Sequence, residues 1–194
     1  MELKNTNSLL YRADGRTIEQ FKKDISRDTE YERIAANILK THLEREGRNV
    51  EIQDYGMDNS GKLIVDAKKV SAKADYIFII NGKKHLFEIK VHSDRYPCMT
   101  FKKSNIETYV KNDVKCIVIT ESGFYAFGKK LMDYMIEKCQ AKSYNNFAGG
   151  KPSYRFTLTE MSVFEGQGFI KKIAWNEKAL EEIKNNNTIF SRRK

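Results

Sequence analysis

The 194-residue sequence predicts an α/β fold with a mixed central β-sheet flanked by helices, and three observations carry that expectation. Apolar residues at Ala35, Ala36, Leu39 and Leu43 keep a 3.6-residue rhythm ahead of a block of short apolar strands. Two of those strands are joined by Asn81-Gly82, the best short hairpin signal in the chain. Helical and strand-like segments then follow one another, the pattern of layered α/β architecture.

Met1 to Gly15 reads as a loose lead-in. Thr17-Ile18-Glu19-Gln20 has the S/T-x-x-E/Q form of a helix start and opens a short helix at about 17–26. A stronger helix runs from about Asp28 to Glu46 and is ended by Gly47. Asn49 to Tyr55 reads as a strand, followed by turn chemistry from Gly56 to Gly61. Lys73 to Ile80 and His85 to His92 are the hairpin strands. Thr100 to Lys111 suits a helix, Val114 to Thr120 a buried strand, and Gly123 to Phe127 an edge strand. Lys129 to Lys142 is amphipathic, with Leu131, Met135 and Ile136 on one side. After Gly149-Gly150, Tyr154 to Leu158 reads as a strand and Asn176 to Lys184 as a final helix. No repeat or linker divides the chain, so a single domain over 1–194 is expected. Its core lies at about 28–128, with C-terminal helical and strand additions at 129–194.

Composition narrows the function. With 40% hydrophobic and 31% charged residues and 2 Pro, the chain is neither low-complexity nor largely disordered. Lys and Arg total 35 against 26 Asp and Glu, a net charge of +9 that favours a polyanionic partner. Apolar runs such as Tyr76 to Ile80 are too short to span a bilayer, and no membrane partner is expected. Met1 to Arg16 lacks a signal-peptide core, which predicts a cytoplasmic location. Cys98, Cys116 and Cys139 form no C-x-x-C pair and read as reduced thiols, which excludes a zinc knuckle. His42, His85 and His92 leave no zincin pattern, so any metal must be held mainly by oxygen.

The chemistry concentrates at the hairpin. Asp75 lies on its first strand, and Glu88-Ile89-Lys90 on its second. Alternation puts Glu88 and Lys90 on one face and turns Ile89 into the opposite layer. The tight turn brings Asp75 alongside Glu88. Two close carboxylates repel, and both ionise comfortably only with a cation between them. A hard dication such as Mg²⁺ suits the pair, because it takes few protein oxygens and keeps several waters. Lys90 would then orient or deprotonate an attacking water, or hold a scissile phosphate. Acid-x-Lys triplets also occur by chance in half-buried strands, where their charges face solvent. Against that stand Phe87, Ile89 and Val91, which mark a buried opposite face, and the apolar run Tyr76 to Ile80. An acid at each end of such a hairpin is costly unless paired.

An Asp, a strand-turn-strand and a Glu-x-Lys, after a helix and before a helix and strand, resemble the PD-(D/E)XK nuclease superfamily. The resemblance covers about Asp28 to Thr120 and implies a restriction-endonuclease-like core. It further implies that Asp75 and Glu88 hold a catalytic Mg²⁺, for which Mn²⁺ substitutes, with the Ile89 backbone carbonyl as another ligand. Lys90 would act on the nucleophilic water. Ala74 stands where the name-giving proline would be, a departure frequent in the superfamily. Many members add a glutamate on the first core helix, and Glu32 matches, acting on the metal directly or through water, with Glu30 in reserve. Thr29-x-x-Glu32 is also a capping box, so Glu32 has two readings, site or helix start. Asp66 is an alternative acid.

The stretch Lys62 to Lys103 carries ten Lys/Arg against four Asp/Glu, two of which are the proposed ligands. Lys73, His92, Lys102, Lys103 and Ser104 are the candidate nucleic-acid contacts, the last three at a helix start where phosphate binds readily. The leading expectation is a Mg²⁺-dependent DNA endonuclease, structure-specific like a junction resolvase, or of phage or restriction type. DNA is favoured over RNA as partner, and cleavage of both strands at a symmetric site would imply a homodimer. The alternatives are a ribonuclease or toxin of the same superfamily, or a non-catalytic nucleic-acid-binding module.

Overall fold

The computed structural model describes residues 17–56, 73–93, 96–143 and 151–175. It is a mixed α/β structure whose central sheet has the order β1-β2-β3-β5-β6-β9. Its strands are β1 (Val50–Asp54), β2 (Tyr76–Ile80), β3 (Lys83–Val91), β5 (Lys115–Thr120), β6 (Gly123–Phe127) and β9 (Lys171–Ala174). Only β3 and β5 run parallel, and all other neighbours are antiparallel. A parallel pair needs a crossover. Here it is β4 (Cys98–Lys102) followed by α2 (Lys103–Lys111). Strand β4 joins a second, antiparallel sheet with β7 (Lys142–Ser143) and β8 (Pro152–Thr157) in the order β4-β8-β7. The remaining helices are α1 (Ile18–Arg45), α3 (Lys129–Lys138) and α4 (Leu158–Gly166).

Alternation along the central strands divides the apolar residues between two cores. Cys116 and Val118 of β5 face one side with Tyr125 and Phe127 of β6, against Ile106, Leu131, Met132, Met135 and Met161 of the helices. Ile117, Ile119 and Phe124 face the other side, where Ala35, Ala36, Ile38, Leu39 and Leu43 of α1 cover them. Strand β3 contributes Phe87 and Ile89 to this second core. Asn81 and Gly82, both with positive φ, make the turn that returns β2 into β3. Among the described residues no helix is long and apolar enough to cross a membrane.

Several elements differ from expectation. The two N-terminal helices are one, Ile18–Arg45, capped by Thr17 and Gln20 through reciprocal bonds of 3.1 and 2.9 Å. No Gly or Pro interrupts residues 26–29, so the second capping pattern lies inside a continuing helix. Thr29 therefore caps nothing, and the helix-start reading of Glu32 falls. Asp75 is not on a strand but one residue ahead of β2. The helix expected from Thr100 begins only at Lys103, because Cys98-Met-Thr-Phe-Lys102 alternates as a strand. Helix α3 ends at Lys138, four residues short of the expected Lys142. Strand β6 is interior rather than at the edge, since β9 pairs beyond it. Helix α4 and strands β4, β7 and β9 were not expected. The turn beyond Gly56, Lys62, Asp66 and the helix expected at Asn176–Lys184 lie outside the described residues.

The β6–β9 junction depends on one position. Gly123 has φ +153°, and a Cβ there would lie 2.2 Å from the Ile173 carbonyl oxygen. Just beyond, the buried Trp175 indole N–H donates to the Thr120 carbonyl at 2.9 Å. Gly123→Ala is expected to destabilise the protein by more than about 1 kcal/mol by prising β9 from β6. A thermal melt reads the effect, and an unchanged midpoint would contradict the packing described.

Candidate active site

The site grows from an incomplete strand pairing. β2 begins at Tyr76, opposite Phe87, so β3 from Glu88 onward is hydrogen-bonded only on its β5 side. Asp75 closes part of the open edge: its Oδ2 accepts the Ile89 N–H at 3.0 Å. The Asp75 carbonyl in turn accepts the N–H groups of Tyr55 and Gly56, at 3.0 and 3.1 Å, which ties the residue to the end of β1. In an extended strand one residue's N–H and C=O project to the same side. The Ile89 carbonyl therefore faces the edge that Asp75 covers.

Glu88 points away from α1, into the other core, and is 3% exposed. Its carboxylate forms an ion pair with the Lys90 ammonium. Glu32, midway along α1 and 23% exposed, reaches the same ammonium at 3.8 Å. The open edge of β3 is what lets an acid from the α1 side meet a lysine from the opposite face. Glu32, Asp75, Glu88 and Lys90 thus come together.

Two helix residues missed by sequence reasoning complete the Glu88 surroundings. Tyr109 hydrogen-bonds Glu88 through its hydroxyl, and Asn105 Nδ2 donates to that hydroxyl at 3.3 Å. Both lie on α2, four residues apart, and share one helix face. Their four-residue spacing is legible in the sequence, but that this face meets Glu88 depends on the packing of α2 over β3. Burial, then the charge of Glu88, pushes the Tyr109 hydroxyl far above its usual range, so it stays a donor. Burial and Glu88 likewise push the Cys116 thiol up, which keeps it protonated and removes thiolate chemistry. A pocket of about 190 Å³ opens here, lined by Glu88, Lys90, Thr100, Lys102, Asn105 and Tyr109 among others.

The candidate phosphate contacts divide. Lys102 lines the pocket. Lys103 and Ser104 are exposed on the first turn of α2, with Lys103 3.7 Å from Glu107. Lys73 is exposed, its ammonium 5.6 Å from the centre of the Tyr55 ring. The His92 ring meets the Tyr96 carbonyl at 3.1 Å and does not line the pocket. Glu30 is exposed on α1.

Electrostatics set the charge state of the cluster. Burial, with the charges of Glu88 and Glu32, pushes the Asp75 carboxyl from an ordinary 3.8 up to about 8, although Lys90 and the Ile89 N–H pull it down. Desolvation lowers Lys90, but Glu88, then Asp75 and Glu32, outweigh it and hold the ammonium well above its usual value. The acids outweigh the cation they share. Among the described residues no three His, Cys, Asp or Glu side chains converge to hold a metal. Two carboxylates and a carbonyl on one open edge nonetheless fit Mg²⁺, which binds through one or two carboxylates and retains waters. Asp75, Glu88 and the Ile89 carbonyl are the residues that would hold it.

No protein-family model matches the chain, and no curated protein matches it.

The Asp75 shift makes stability depend on pH. A carboxyl whose folded value exceeds its unfolded one stabilises the fold at low pH and loses that contribution as pH rises through about 8. Metal-free protein should therefore lose stability from about pH 4 to pH 8. In chelator, Asp75→Asn is expected to melt higher than wild type at pH 8, with the advantage shrinking towards pH 5. Parallel melting curves for the two proteins would contradict the buried-acid account.

Proposed function

We propose that this protein is a metal-dependent endonuclease that hydrolyses DNA phosphodiester bonds and has a restriction-endonuclease-like core of the PD-(D/E)XK type. The observation that carries the reading is the under-compensated acid cluster, Asp75, Glu88 and Glu32 around Lys90, at the open edge of β3. The order of helix, strand, hairpin, helix and strand that accompanies it supports the same reading. A net charge of +9 gives a polyanionic substrate the affinity that a cluster of acids alone would oppose. The cytoplasm is the setting we infer, where the free thiols of Cys98, Cys116 and Cys139 stay reduced.

When bound, Mg²⁺ would polarise the phosphoryl group, lower the pKa of a water and stabilise the leaving alkoxide. Asp75 and Glu88 hold it, and the hydrogen bond from Tyr109 keeps the Glu88 carboxylate in place. Glu32 fixes the Lys90 ammonium from the α1 side. Lys90 orients the attacking water and faces the charge that develops on the phosphate. To accept the water's proton it must first give its own to solvent, which its partly exposed side chain reaches.

Cleavage of plasmid or branched DNA is expected with Mg²⁺ or Mn²⁺ and none in chelator, with Ca²⁺ supporting binding but little hydrolysis. Asp75→Asn should lose metal affinity and turnover together. Lys90→Ala should keep metal binding, read by calorimetry, while single-turnover cleavage falls by about a hundredfold or more. Wild-type cleavage by a folded Lys90→Ala protein, or full activity in excess chelator, would overturn the mechanism.

A further inference from the structure

The strand that borders the pocket leads away from it into the β4-β8-β7 sheet, whose two faces differ sharply. Directly opposed residues of an antiparallel pair share a face. Met99 opposite Phe156 and Phe101 opposite Tyr154 form the inner face, all buried in the helical core. The outer face has Thr100 opposite Arg155, and beside them a row of Lys102, Ser153 and Lys142 across three strands. Lys102, Lys142 and Arg155 are the charged residues of these strands, which carry no acid. Arg155 and Lys142 are exposed, as is Lys151 just ahead of β8. The row spans two strand spacings, about 10 Å. It is continuous with the site, since Thr100 and Lys102 line the pocket that Glu88 and Lys90 line.

We infer that the outer face of the β4-β8-β7 sheet is a track for the DNA backbone, along which Lys102, Arg155 and Lys142 contact phosphates and deliver the strand to the pocket. The inference rests on the endonuclease reading and adds to it where the DNA lies. A protein partner would need an apolar anchor to bind tightly. The face offers instead the cations Lys102, Lys142 and Arg155 with the Thr100 hydroxyl beside them, which suit a regular polyanion, while Ser153 between Lys102 and Lys142 is buried. None of these strand positions lies in either apolar core, so replacing Lys142 and Arg155 leaves the packing intact.

The test compares two double variants with the same loss of charge. Lys142→Gln/Arg155→Gln removes two cations from the track. Lys83→Gln/Lys84→Gln removes two exposed cations from the turn end of the β2–β3 hairpin, opposite to the Asp75 end. Affinity for a fluorescein-labelled DNA duplex is measured with Ca²⁺ over a range of salt, with melting curves to confirm folding. The track variant is expected to bind roughly tenfold more weakly, with the slope of log affinity against log salt reduced by about two. The hairpin variant should bind like wild type. Equal loss in both variants, or none in the track variant, overturns the track and leaves the endonuclease reading to its own cleavage assay. A track-specific loss in a protein that never cleaves DNA with Mg²⁺ or Mn²⁺ supports the track and overturns the endonuclease reading alone.

Discussion

Strand β3 pairs with β2 from Lys83 to Phe87 and with β5 from Phe87 to Val91, so beyond Phe87 its β2-side edge is open. Everything of chemical interest in this protein follows from that change. The freed edge exposes the Ile89 N–H, which a buried strand cannot leave unpaired. Asp75 supplies the acceptor. Its position is fixed twice, by the end of β1 through its carbonyl and by the hairpin that begins one residue later. The same gap admits Glu32 to Lys90 from the α1 side. A carboxylate on each of three separate elements thereby meets one lysine without any of them leaving its own helix, strand or loop.

Such a cluster is a poor way to stabilise a fold. Removing acids from water costs more than their attraction to a lysine returns, unless geometry and further hydrogen bonds are good. Glu88 has both Lys90 and Tyr109. At Asp75 burial, with the repulsion of Glu88 and Glu32, outweighs the attraction of Lys90 and the Ile89 N–H, so its carboxyl is pushed up to about 8. Our proposal gives this arrangement a role in holding a hard cation, with the pocket of about 190 Å³ beside it receiving a substrate group. In the endonuclease we propose, the basic surface around the pocket reconciles an acidic centre with an anionic substrate. In that proposal affinity comes from cations arrayed over distance, and chemistry from the acids at the centre.

What was legible in the sequence was whatever depended on local pattern. The Asn81-Gly82 turn, the buried β5 strand and the Thr17 cap are each written in a few adjacent residues, and the hairpin turn brought Asp75 near Glu88. Errors arose where local signals compete. Thr29 and Glu32 form a helix-start pattern that a longer helix overrides, and that pattern obscured why an acid sits there. Strand β4 runs into α2 with no Gly or Pro between, so its period of two was read as part of the helix. Helix α4 carries a capping box at Thr157 and Glu160 as clear as the one at Thr17, and it went unread because its apolar residues form no stripe. The pairing of β9 beyond β6 and the β4-β8-β7 sheet are set by distant contacts that no short window contains. Tyr109 belongs to the same class, since only the packing of α2 over β3 reveals that it touches Glu88.

We propose that Asp75 and Glu88 take up a divalent cation and that binding displaces the proton held by Asp75. Calorimetric titration of Mn²⁺ into the chelator-treated protein at pH 7, in buffers of different ionisation heat, reports binding and proton release together. With Asp75 near 8 in the metal-free state, the account predicts release of about one proton per cation bound. That release should fade above pH 9. Absence of binding, or binding with no proton released at pH 7, would contradict it.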